Sequence, residues 1–187
     1  MNNDLKEAVE VLRKGGVILY PTDTIWGLGC DATNRDAVQK VYAIKHRIEA
    51  KSMLVLVDSS AKLQSYVDII PEIAWDLIEI TDKPITIIYP GAKNLAENLI
   101  SDDGTIGIRV TEETFSKKLC ERFRKPIVST SANVSGEKPP AFFGEISDEI
   151  RDSVDYIVGF RQDDYTPAKP SSIIKLGVGN EIEIIRK

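Results

Sequence analysis

Histidine occurs once in this 187-residue chain, at position 46, and cysteine twice, at positions 30 and 120. Metal centres built on nitrogen and sulfur need several such residues at short spacings, so a zinc site is excluded. Two distant cysteines outside any Cys-x-x-Cys pair make no disulfide framework. The lone His46 lies between Lys45 and Arg47, a poor setting for a general base, and no Gly-x-Ser-x-Gly is present, which excludes a serine hydrolase. Also missing is Gly-x-x-x-x-Gly-Lys-[Ser/Thr], the phosphate cradle of P-loop nucleotidases. The longest apolar runs, residues 53–57 and 17–19, fall far short of a bilayer's thickness, and Met1-Asn2-Asn3-Asp4 carries neither a basic nor an apolar leader region. A soluble, cytoplasmic protein with no membrane partner is expected, in which the sequon Asn133-Val134-Ser135 has no chemical consequence. Positive charge is not in excess: 24 Lys and Arg against 29 Asp and Glu leave −5, which argues against a general nucleic-acid binder but permits a local cationic pocket.

What is present is ordinary globular material. With 42% hydrophobic and 28% charged residues and no internal repeat or long linker, one domain over residues 1–187 around one core is predicted. Leu5, Ala8, Val9 and Leu12 share one face of a helix stopped by Gly15-Gly16, and residues 17–20 follow as a buried strand closed by Pro21. Thr33 and Asp36 have the spacing of a capping box and should open a second helix ending near Lys45 and Arg47. Residues 53–57, 85–89, 105–110, 126–128 and 156–158 read as strands; residues 60–66, 71–80, 114–124 and a stretch around 144–153 read as helices. Two last strands, 172–176 and 181–185, are joined by Gly177-Val178-Gly179-Asn180 as a hairpin. Alternating helices and strands with a terminal hairpin predict an α/β fold on a mixed sheet.

Three places in this pattern carry chemistry. On the second helix Val38, Val41 and Tyr42 fall at i, i+3 and i+4, and Lys45 follows at i+7 on the same stripe, so an ammonium points where packing calls for hydrocarbon. Burial without a partner is too costly; Lys45 must snorkel out or meet an anion, which a ligand could supply. Arg47 at the same helix end complements the helix dipole, and that alone would explain it. In residues 105–110 the apolar Ile106, Ile108 and Val110 share one face, with Thr105, Gly107 and Arg109 on the other. A strand glycine marks close approach, which puts Arg109 beside the pocket. Ser129-Thr130-Ser131-Ala132-Asn133 follows a short strand, where open α/β sheets place ligands, although a turn held by side-chain to backbone bonds is the plainer reading. Gly27-Leu28-Gly29-Cys30-Asp31-Ala32 fits the loose dinucleotide pattern, but Pro21 has already ended the strand and the glycines cannot make the strand-to-helix turn it requires. Whether Lys45, Arg47, Lys51, Arg109 and Arg186 gather depends on the fold, and scatter over the surface is the default.

Tyr20-Pro21-Thr22-Asp23-Thr24-Ile25-Trp26-Gly27-Leu28-Gly29-Cys30-Asp31-Ala32 is too particular in its order for a generic loop. Taken with Lys45-x-Arg47, Thr105-Ile106-Gly107-Ile108-Arg109-Val110, Ser129-Thr130-Ser131-Ala132-Asn133 and Pro170-Ser171-Ser172-Ile173-Ile174, it resembles the threonylcarbamoyl-AMP synthase family, also called the YrdC/Sua5 family, over residues 5–186. The resemblance implies a single twisted mixed-sheet α/β domain with a large concave cavity. It also implies synthesis of threonylcarbamoyl-AMP and pyrophosphate from L-threonine, bicarbonate and ATP, with Mg²⁺ brought in by the ATP. The product serves the t6A modification beside the tRNA anticodon; transfer is left to separate threonylcarbamoyl transferase proteins, and direct tRNA contact stays open.

The family's Lys-x-Arg and Ser-x-Asn signature falls on Lys45, Arg47, Ser131 and Asn133, which the resemblance makes catalytic. It assigns threonine to Thr22, Ser129 and Ser171 with Arg109 on the carboxylate, and ATP to Arg47, Lys51, Thr105, Ser131 and Arg186; no protein metal ligand is implied. The chain departs from the family at Ser52-Met53, where Pro-Leu is usual, and at Thr81-Asp82-Lys83-Pro84-Ile85-Thr86, a reduced form of Trp-Pro-Gly-Pro-x-Thr. Within that resemblance the short form, without the extra C-terminal domain of the longer Sua5 branch, is expected. Two other readings share the fold: a paralogue of the YciO branch, which Pro170-Ser171-Ser172 and Gly104-Thr105-Ile106-Gly107 resemble, and an RNA- or ribosome-binding module, weakened by the acidic total and the lack of an aromatic stripe.

Overall fold

The computed structural model describes residues 1–46, 53–166, 169–179 and 181–187. Its first helix, α1 (Asn2–Arg13), buries the stripe Leu5, Ala8, Val9 and Leu12 and leads into β1 (Ile18–Tyr20), which is buried throughout. A strand that apolar periodicity does not announce comes next: β2 (Gly27–Gly29), antiparallel to β1 with Gly29 opposite Ile18. Close packing requires its glycines. A Cβ on Gly29 would lie 2.6 Å from Tyr20 Cε1 and 3.0 Å from the Val128 carbonyl oxygen, and one on Gly27 would lie 3.1 Å from the Thr130 oxygen. The Gly-x-Gly pattern therefore serves strand approach, not a dinucleotide turn.

Helix α2 (Arg35–Ile44) starts from Asn34, whose side chain accepts hydrogen bonds from the backbone N–H groups of Asp36 and Ala37. Thr33 instead gives its N–H and hydroxyl to Asp31, so the capping box expected of Thr33 and Asp36 does not form; Asn34 stands one residue closer to the free N–H groups and satisfies two of them. After β3 (Leu54–Val57), α3 (Glu72–Ile80), β4 (Ile85–Tyr89), β5 (Ile106–Val110) and α4 (Thr114–Phe123) comes β6 (Ile127–Ser131), then α5 (Asp148–Asp152), β7 (Tyr156–Ile157), β8 (Ser172–Leu176) and β9 (Ile182–Arg186). Ser60–Ser65 forms a 3-10 segment where an α-helix was expected, and β6 continues through Ser131, so Ser129, Thr130 and Ser131 belong to the strand and not to a loop after it.

Among the described residues the nine strands make one mixed sheet, ordered β7-β1-β2-β6-β3-β5-β4-β8-β9. Side-chain alternation divides it into two faces. On one, Leu19, Leu28, Val55, Ile87, Ile108 and Val128 join a core cluster with Ala37, Val38, Val41 and Tyr42 of α2 and Ala74 of α3. On the other, Ile18, Tyr20, Leu56 and Ile127 pack against Leu5 and Leu12 of α1 and Phe115, Leu119 and Phe123 of α4. Each large apolar side chain buried this way contributes roughly 1.5–3 kcal/mol, which fixes register: a one-residue slip of β5 would drive Arg109 into the core and turn Ile108 out of it. Helices α1 and α4 cover only part of their face. The remainder, where Leu54 stands opposite Ser129 and Gly107 opposite Ile88, forms the floor of a hollow.

Candidate functional site

The uncovered part of the sheet bounds a cavity of about 710 Å³. Small side chains make the room: Gly27 of β2, Gly107 of β5, Thr86 of β4 and Ser129, Thr130 and Ser131 of β6 all line it. The alternation expected of β5 is observed, with Gly107 and Arg109 turned into the cavity and Ile106 and Ile108 in the core.

Arg109 is buried, at 3% exposure. Its Nη1 donates to Thr24 Oγ1 at 3.2 Å and lies 3.3 Å from Asp23 Oδ1, an ion pair by distance without the alignment of a hydrogen bond. Its Nε is buried and has no hydrogen-bond partner among the described residues. Burial raises the Asp23 pKa, and Arg109 opposes that rise. Arg186, also lining the cavity, donates from Nε to the Ser171 carbonyl at 2.8 Å; the Ser171 hydroxyl in turn lies 2.9 Å from Thr86 Oγ1. Partial burial and the neighbouring Arg109 charge lower the Arg186 pKa, as a second cation close by would do to a side chain that is otherwise exposed. At the mouth, Asp103 accepts from Lys175 Nζ at 2.7 Å and from Thr105 Oγ1 at 2.6 Å, and these bonds hold its pKa down at about 2. A hollow with two guanidiniums, hydroxyls at its floor and an uncommitted buried N–H is built for an anion.

The structure gathers Arg109, Arg186, Thr105, Ser129, Ser131 and Ser171 around this one cavity. Lys45 sits elsewhere in the arrangement. Its Nζ donates to the carbonyl oxygens of Ser131 at 2.5 Å and Asn133 at 2.6 Å, while its own carbonyl accepts from Ser135 N–H at 2.9 Å. The buried ammonium thus meets backbone carbonyls at the end of β6, where a ligand anion or a snorkelling stem had been expected. Asn133 fixes the same bend, its Nδ2 donating to the carbonyls of Val134 and Glu137, and its Oδ1 is buried without a hydrogen-bond partner among the described residues. Thr22 is directed away from the large cavity: its hydroxyl donates to the Ile25 carbonyl at 2.7 Å, and the residue lines a smaller cavity. Thr24, two residues on, is the threonine of that segment that lines the large cavity and touches Arg109. Its only sequence signal is its place in the same motif. Arg47 and Lys51 lie outside the described residues.

Residues 10–187 match the Sua5/YciO/YrdC family model, whose description is telomere recombination. The threonylcarbamoyl-AMP synthase of Pseudoalteromonas translucida (strain TAC 125) is 38% identical over 154 residues, which is 81% of this chain and 82% of that protein. E. coli YciO is 27% identical, with a TM-score of 0.86 over 100% of this chain and 90% of its own. P. abyssi Sua5 complexed with L-threonine, 24% identical, superposes with a TM-score of 0.82 over 92% of this chain and 50% of its own, a likeness of fold. The chain belongs to the Sua5/YciO/YrdC family.

Proposed function

We propose that this chain is an L-threonylcarbamoyladenylate synthase, a nucleotidyltransferase that forms threonylcarbamoyl-AMP and pyrophosphate from L-threonine, bicarbonate and ATP for tRNA t6A modification. The observation that carries this reading is Arg109, buried, with an unpartnered Nε, in the same 710 Å³ cavity as Arg186. The synthase name of the 38% identical relative and the threonine bound to the structural neighbour support it.

The chemistry asks for countercharge and alignment, not for a protein nucleophile. The threonine amine adds to bicarbonate and water is lost, giving a carbamate. A carbamate oxygen then attacks the α-phosphorus of ATP, and the bond to the bridging oxygen breaks as pyrophosphate leaves. In this reading Arg109 offers its planar edge to the threonine carboxylate, with Ser129, Ser171 and Thr24 beside it, and Thr22 supports Thr24 through the 3.1 Å contact of their hydroxyls. Arg186, Thr105 and Ser131 serve the nucleotide, while Lys45 and Asn133 hold the end of β6 so that Ser131 keeps its place. Arg47 and Lys51 are assigned to the nucleotide by the family motif alone. Mg²⁺ is proposed to enter with ATP, held by phosphate oxygens and water: among the described residues no three His, Cys, Asp or Glu side chains gather as a metal cluster. When bound it would neutralise phosphate charge.

No helix of the described residues is long and apolar enough to cross a membrane. The proposed setting is the cytoplasm, with separate transferase proteins receiving the adenylate. Incubation with ATP, labelled bicarbonate and a panel of amino acids tests the proposal. Threonine alone should give a labelled, labile adenylate with an equivalent of pyrophosphate. Pyrophosphate release that ignores threonine would overturn it, and ATP binding without any release would transfer the chain to the YciO-like reading.

A further inference from the structure

Behind the sheet, on the face opposite the large cavity, lies a second cavity of about 450 Å³ that the proposed reaction does not use. Its wall is hydrocarbon: Ile78 of α3, Ile85 and Ile87 of β4, and Ile108 and Val110 of β5. Its polar end carries Asp23, Glu112, Glu113 and Arg161, with Asp82 and Lys83 adjacent on the exposed rim, where their charges offset one another.

Most of these charges are already committed. Arg161 donates to the Thr22 carbonyl at 3.2 Å and pairs with Glu113 at 3.5 Å and Asp164 at 2.9 Å. Glu113 caps α4 by accepting from Ser116 N–H at 2.7 Å, and Glu112 pairs with Lys117 at 2.6 Å. Asp23 differs. Its Oδ1 is buried, 3.3 Å from Arg109 Nη1 and not aligned as a hydrogen bond, so a largely buried carboxylate remains under-satisfied.

We propose that this second cavity binds a protonated primary amine on a hydrocarbon body, its ammonium at Asp23 and its hydrocarbon on the isoleucine wall. An anion would meet Asp23 head on, and an uncharged apolar molecule would cover the carboxylate without completing its hydrogen bonding. The site is also wired to the first cavity. Asp23 and an anion in the large cavity compete for Arg109, so an ammonium that satisfies Asp23 frees the guanidinium, and each ligand raises the affinity of the other by the same factor. Amine binding is a readout separate from adenylate formation, so its failure would leave the proposed reaction standing.

Phenethylammonium and phenethyl alcohol share a body and differ in charge. Titrated calorimetrically into the full chain near neutral pH, the amine should bind saturably, the alcohol roughly tenfold more weakly or worse, and L-threonine, whose carboxylate is assigned to Arg109, should strengthen rather than displace the amine. Asp23→Asn should erase the preference for the amine with an unchanged far-ultraviolet circular dichroism spectrum. If that variant fails to fold, Ile78→Trp, which fills the cavity from α3, should weaken amine binding and leave pyrophosphate release intact. Equal binding of amine and alcohol, no binding of either, displacement of the amine by L-threonine, or wild-type amine affinity in a folded Asp23→Asn or Ile78→Trp protein would each overturn the proposal.

Discussion

Lys45 and Arg109 are both cations buried to within a few per cent, at 2% and 3% exposure, yet their partners give them different work. Lys45 donates to two main-chain carbonyls and so holds a bend, which makes it a stability residue as well as a signature residue. Lys45→Met keeps the stem and deletes the donors, leaving the carbonyls of Ser131 and Asn133 short of a partner. It should cost about 2–3 kcal/mol in urea denaturation, and an unchanged midpoint would show that the bend stands without it. Arg109 is fixed on one side only, by Thr24 and Asp23, with Nε uncommitted. Arg109→Lys preserves charge and loses the fork, so the threonine KM at saturating ATP should rise roughly tenfold or more while the ATP KM moves far less. Arg109→Ala should exaggerate the same asymmetry, and an effect on ATP alone would remove the carboxylate assignment. Cys30 is fully buried and burial raises its thiol pKa, so it behaves as a small apolar side chain and not as a nucleophile.

At the scale of elements, strand β2 holds the cavity floor to the core, and its glycines are what let it fit. Gly29→Ala would press a methyl group against the ring of Tyr20, which has no exposure and nowhere to swing, and against the Val128 carbonyl of β6. The cost should be about 1–3 kcal/mol, lowering Tm by about 2–4 °C for each kcal/mol; an unshifted melting curve would mean that the two strands separate freely. This strand is also where sequence reading stops. The stripes of α1 and α4 and the two faces of β5 are legible because periodicity records burial directly. A three-residue Gly-Leu-Gly strand has one apolar residue and no period, so it reads as a loop motif. Capping by Asn34 and not Thr33 turns on which side chain Asp31 captures, a tertiary detail. The same holds at the site: a cation on the stripe of α2 was visible, but the carbonyls that receive it come from a strand end far along the chain, and the backbone turn that exchanges Thr22 for Thr24 at the cavity leaves no pattern.

For the whole molecule the question is what keeps the large cavity's mouth in shape while the chain carries a net charge of −5. Ser101, Asp103 and Thr105 line the mouth, and Asp103 straps their loop to Lys175 of β8 at 2.7 Å. The Asp103 pKa is lowered from 3.8 to about 2, so its contribution is complete above about pH 4 and fades as pH falls through 2. The Lys175 pKa is raised above 10.5, so its contribution is complete below that value and lost as pH climbs past it. The strap therefore holds across the whole neutral range and opens in acid. Because both side chains are substantially exposed, at 36% for Lys175 and 51% for Asp103, the effect belongs to the loop and adds little to global stability. Amide hydrogen exchange of residues 101–105 in the ligand-free protein, corrected for intrinsic rates, should show steady protection from mildly alkaline conditions down to about pH 4 and a decline below it. Asp103→Asn should show the acid level of protection at every pH while the strands beneath exchange as in the wild type. If the variant and the wild type protect the loop equally at neutral pH, the backbone bonds from Ser101 N–H to the Thr105 carbonyl and from Gly104 N–H to the Ser101 carbonyl hold the loop on their own, and the ion pair is ornamental.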